Sequence, residues 1–137
     1  MSMRMKIFRI SLLIGFAVNM VFAIPAFVAP RFLEMMFDVG ATDTTVWLRN
    51  VGILLMIIST MYLAVFRDAF RYSFIAYLAI AGRFAAGCFF LVAVLFADYP
   101  SGFAVLAAND LILSSLQAVL WYLVLREGPA RDPGAIA

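Results

Sequence analysis

The sequence predicts an all-α, polytopic membrane protein: an antiparallel bundle of four transmembrane helices with a short interfacial helix in its first loop. Three observations lead there. Apolar residues make up 66% of the 137-residue chain, against about 45–50% in a soluble globular protein. Charged residues are 13%, about half the usual share. The apolar residues fall into four runs, each near the roughly 20 residues that a helix needs to cross ~30 Å of hydrocarbon. A segment in hydrocarbon must satisfy its own backbone, and no period-2 alternation suggests a barrel, so the runs read as helices.

The spans lie at about 10–29, 46–66, 73–97 and 103–125, within a transmembrane domain covering 1–126. The first has the basic start of a signal peptide (Arg4, Lys6, Arg9) and a passable cleavage site at Val21-Phe22-Ala23. Its apolar run continues to Ala29, so a retained helix is expected, kinked or ended by Pro25. The first loop opens with Pro30 and places Arg31, Glu34 and Asp38 among apolar residues at helical spacing. That pattern predicts an amphipathic helix on the outer interface, ended by Val39-Gly40. The second loop carries Arg67 and Arg71, and the third, Asp98 to Gly102, carries an acid and no base. With Arg126 and Arg131 after the last span, the basic residues put both termini in the cytoplasm. The Pro/Gly-rich end, 127–137, reads as a flexible cytoplasmic tail. Trp47, Tyr72, Tyr99, Trp121 and Tyr122 fall near span ends, as in an aromatic belt.

Absences narrow the chemistry. The chain has no histidine, which excludes imidazole-held haem or zinc, so no cofactor and no metal site is predicted. Its single cysteine, Cys88, rules out an internal disulfide or a CxxC pair. The basic residues, nearly all arginine, are scattered, so nucleic acid is not an expected partner.

Polar residues inside the spans are the candidates for function, because an ionisable group at mid-membrane costs about 2.5–3.5 kcal/mol to insert. Arg83 lies about 16 Å from the cytoplasmic end of the third span, and Asp110 about 12 Å from the outer end of the fourth. In a ~30 Å core these depths nearly meet. Arginine keeps its proton, so Arg83 demands an anion, and Asp110 is the acid within a span. Asp110, Ser114, Gln117 and Trp121 share one helix face, with Asn109 beside it. Ser11, Gly15, Asn19 and Phe22 form a weaker stripe on the first span. The second begins with Arg49-Asn50 and should close the bundle through them; it later offers Ser59 and Thr60, which read as structural, and Tyr62. Around Arg83 stand Ala79, Ala81, Gly82, Ala85, Ala86 and Gly87, with Gly82–Ala86 a small-xxx-small pair for close helix packing. The candidate ligand-binding or polar-core set is therefore Arg83, Asp110, Asn19, Arg49, Asn50, Asn109 and Gln117.

The series Pro30, Trp47-Leu-Arg-Asn-Val-Gly, Tyr62, Arg67-Asp68 and Ala81-Gly-Arg-Phe-Ala-Ala-Gly87 resembles small four-helix bacterial membrane proteins of the BphX-like type. The resemblance implies a bacterial inner-membrane location and supplies no catalytic residues. Tiny loops and the absence of a soluble domain favour a non-catalytic binding or accessory subunit over an enzyme. It would hold a lipophilic ligand, with lipid or quinone both fitting, or dock onto other membrane subunits or a second copy. The alternative is a small transporter or channel working as a homo-oligomer around Asp110. Small multidrug transporters have this size but place a glutamate in the first span, where this chain has Asn19.

Overall fold

The computed structural model describes residues 2–38 and 44–128. They form five helices and no strand: α1 (Met3–Val28), α2 (Pro30–Phe37), α3 (Val46–Arg67), α4 (Ser73–Phe96) and α5 (Gly102–Glu127). All but α2 are long and apolar enough to cross a membrane. Beyond Gly128 the expected tail lies outside the described residues, but Glu127, its first residue, is the last residue of α5.

α1 begins well before its apolar run. The Ser2 hydroxyl accepts from the Met5 amide and caps it, so the basic residues Arg4, Lys6 and Arg9 are already helical. Pro25 does not end α1, which continues to Val28 and closes with the Ala29 amide on the Pro25 carbonyl. α2 starts at once, with Pro30 in the first turn, where a missing N–H costs nothing. It stops at Asp38, whose φ of 47° is left-handed; the expected stop at Val39-Gly40 lies outside the described residues. Leu33 and Glu34 are buried, while Phe32, Met35 and Met36 are exposed, which turns much of α2's apolar surface outward.

α1 packs most extensively on α3, α4 packs on α5, and α1 also contacts α5; α3 and α4 touch little. Contacts along α4 and α5 pair Tyr77 with Trp121, Gly87 with Leu111 and Phe90 with Phe103, the order expected of an antiparallel pair. Several glycines mark close approaches, the tightest at Gly102, where a Cβ would run into the Phe37 carbonyl at the end of α2. A Cβ on Gly52 would come 2.8 Å from the Ala23 carbonyl oxygen, and one on Gly87 2.8 Å from the Leu111 side chain. Gly82 has open space around it, so the Gly82–Ala86 contact expected from the sequence is replaced by Gly87. The rotation of α4 turns Gly82 outward and Arg83 inward.

The apolar core sits at one end, where Phe8, Leu12, Val65, Val124 and Trp121 meet. Trp121 stacks on Phe8 with ring centroids 5.1 Å apart and is 2% exposed, so it is a core residue and not part of an aromatic belt. The same end gathers charge. Arg4 pairs with Glu127 at 3.1 Å, and Arg9 donates to the Arg67 carbonyl at 3.0 Å. Large apolar side chains such as Ile14, Leu54, Phe89 and Ile112 cover much of the exterior. In water this would be an aggregating surface; facing acyl chains it carries no such penalty.

Candidate functional site

The centre of the bundle is built around one guanidinium. α4 carries Arg83 inward, with its side chain 3% exposed. Its Nη2 donates to Asn19 Oδ1 at 2.5 Å and to the Gly15 carbonyl at 3.3 Å, both on α1. Its Nε donates to the Tyr62 hydroxyl on α3 at 3.3 Å, and its Cζ lies 5.7 Å from the Tyr62 ring centroid. Nη1 approaches Asp110 Oδ1 on α5 at 3.3 Å. That contact is an ion pair without an aligned hydrogen bond, since Nη1 has no hydrogen-bond partner. One side chain thereby touches all three other long helices.

The surrounding groups are tied in turn. Asn19 Nδ2 donates to Ser59 Oγ at 2.8 Å, which fixes the amide so that its oxygen faces Arg83. Gly15 sits one turn before Asn19 because its carbonyl and the space above it are both used. A Cβ there would lie 3.0 Å from Gln117 Nε2 and 3.6 Å from Arg83 Nη2. Gln117 is fully buried and donates to the Ser11 carbonyl at 3.1 Å, joining α5 to α1. Its Oε1, and Nε1 of Trp121 one turn later, have no hydrogen-bond partner among the described groups. Among the described residues Asn109 donates to its neighbour, Asp110 Oδ1, at 3.4 Å. The Asp110 side chain is 18% exposed, against 3% for Arg83.

The structure thus brings together Arg83, Asp110 and Asn19, with Gln117 adjoining and Asn109 at the edge. It leaves out Arg49 and Asn50, which are exposed near the start of α3. The expectation that α3 closes the bundle through these two is corrected: Ser59 and Tyr62, nine or more residues further along, do it. Sequence reasoning left Gly15, Ser59 and Tyr62 out of the candidate set. The available signal was spacing, since Gly15 and Asn19 are four apart and Ser59 and Tyr62 three, each pair on one face.

Arg49 belongs to a second site. At the end of the bundle away from the Arg4–Glu127 pair, an open groove of about 510 Å³ lies between the α1–α2 corner and the start of α3. Ala29, Pro30 and Phe32 supply its apolar lining, Thr44 and Thr45 hydroxyls, and Arg31 and Arg49 two guanidiniums. Arg31 Nη1 also bonds Glu34 Oε2 at 2.8 Å, which fixes its side chain across one turn of α2. Arg49 forms no ion pair among the described residues. No cluster of three metal-ligating side chains occurs among the described residues.

No protein-family model matches the chain, and no curated protein and no solved structure matches it.

Proposed function

We propose that this chain is a small, non-catalytic integral membrane protein that holds a lipophilic ligand, serving as a binding or accessory subunit. The observation that carries the reading is the groove with Arg49 on its wall. It joins apolar lining to two guanidiniums, of which Arg31 is held by Glu34, as a site for an amphiphile requires. The Arg83 cluster supports the same reading from the other side. Its guanidinium is engaged by four groups of this chain and nearly sealed, which suits a bundle pin better than a translocation site. The joining of α1's start to α5's end through Arg4 and Glu127 is in keeping with two termini on one side, the cytoplasmic face of a bacterial inner membrane.

A transporter built around Asp110 is the second reading, favoured by that side chain's partial exposure. Native mass spectrometry from a mild detergent tests the first. The expected spectrum shows the chain, alone or as an oligomer or complex, with a lipid-sized or quinone-sized adduct that survives mild activation. A bare chain under all gentle conditions, together with Asp110-dependent ion flux in vesicles, would transfer the case to the second reading.

A further inference from the structure

The groove also has a charge preference. The arginines of the charged ends of this bundle divide unevenly: Arg4, Arg9, Arg67 and Arg126 lie toward the end where the core sits. Arg31 and Arg49 lie at the other end, and both line the one groove. Arg49 stands within the first turn of α3. There the backbone dipole favours a negative neighbour, yet the first turn of α3 holds no acid and Thr45 makes no side-chain cap. The charge of Arg49 has no counterpart among the described residues, in a position where a positive charge is disfavoured. Beside it, Ala29, Pro30 and Phe32 give a face that an acyl chain can cover, and exposed Phe27, Val28 and Trp47 continue apolar surface around the same end.

We infer that the groove takes a phosphate-bearing amphiphile, its anionic phosphate held by Arg49, with Arg31 in the same lining, and its chains leaving along the apolar side. This rests on the ligand-holding reading above and narrows it to an anionic phosphate or phosphodiester. A guanidinium presents paired N–H donors that match two phosphate oxygens, which a neutral headgroup cannot use in the same way. The volume, about 510 Å³, admits a headgroup and the first part of its chains, not a whole diacyl lipid.

The test uses the full chain in neutral detergent, with native mass spectrometry against three probes: phosphatidylglycerol, a diacylglycerol with the same chains, and inorganic phosphate. Phosphatidylglycerol is expected to be retained at one per chain in preference to the diacylglycerol. Arg49→Gln should weaken that retention about tenfold, the equivalent of one charge-assisted hydrogen bond. Arg49→Lys should restore part of it. Arg49→Gln is exposed and should keep the melting temperature of the parent, which verifies that the variant is folded. Retention of inorganic phosphate in place of the lipid, abolished by Arg49→Gln, supports the same chemistry with a free anion as its source. Equal retention of diacylglycerol and phosphatidylglycerol, or no effect of Arg49→Gln, overturns the phosphate inference and leaves a ligand-holding protein. Retention of none of the three probes, with no lipophile co-purifying, overturns both.

Discussion

Two arginines of this chain lie in opposite situations. Arg83 is buried in the middle of α4 and is bound by α1, α3 and α5. Arg49 is exposed at the start of α3 and is bound by nothing described. The same side chain serves as a fastener in one place and an open contact in the other. The difference lies in what the neighbouring helices bring: a carboxylate, a carbonyl, an amide oxygen and a hydroxyl at the first, and a groove at the second. A buried charge without such partners would be too costly to keep, so their presence explains how Arg83 is tolerated. Among the described residues no such partner stands at Arg49, which leaves its charge open to a further contact.

The largest effect that could break this contrast is at the inner arginine. Asp110→Asn removes the only carboxylate touching Arg83 among the described residues and should destabilise the bundle by about 3–5 kcal/mol. The double change Arg83→Met with Asp110→Leu removes both charges and should recover much of that loss. Thermal unfolding in detergent, followed by loss of the monodisperse peak, reads both. Equal stability of the single and double variants would mean that the two residues do not interact.

Next come the glycines. Gly52→Ala should cost about 1–3 kcal/mol by overpacking, because the new methyl meets backbone of α1 at 2.8–3.0 Å. Gly82→Ala meets nothing and should be neutral or stabilise by up to about 1 kcal/mol through helix propensity. The same unfolding measurement separates them, and a reversed order would show that α4 is rotated from the position described.

This pair also marks the limit of what the sequence reveals. Span number and loop positions are legible because hydrocarbon thickness sets run length. The meeting of Arg83 and Asp110 is legible because a guanidinium and a carboxylate at similar depth on consecutive helices have strong reason to pair. Which glycine faces a neighbour is legible only through Arg83: Gly87 lies four residues on, on the same face, whereas Gly82 lies about 100° round the helix. The small residues on every side of Arg83 hide that choice when they are read without it. Arg49-Asn50 misleads for a related reason: polar residues near a helix start can face water as readily as a partner. Trp121 near a span end suggests an interface, but Phe8 on the neighbouring helix draws its ring inward.

Smaller effects sharpen the comparison. Trp121→Phe keeps the stacking on Phe8 and deletes an N–H that lacks a partner. Its lost volume and its relieved donor should offset, leaving stability within about 1 kcal/mol of the parent. Smallest of all, Arg49→Gln should change stability by no more than about 0.5 kcal/mol, in contrast to any change at Arg83. A large loss on Arg49→Gln would show that the outer arginine is also a fastener.

The division of the bundle into α1 with α3 and α4 with α5 has a consequence for biosynthesis. Arg83 and Asp110 fall within the same helical hairpin, the later one to leave the ribosome. Each charge alone would resist insertion by about 2.5–3.5 kcal/mol. Entering as a hairpin, they can compensate each other before the first pair of helices is engaged. Asn19, Tyr62 and the Gly15 carbonyl then act as a receptor for an already neutralised hairpin, and the joining of the halves becomes a separate lateral step in the bilayer. A chain cut in the loop between α3 and α4 and expressed as two pieces is therefore expected to reassemble.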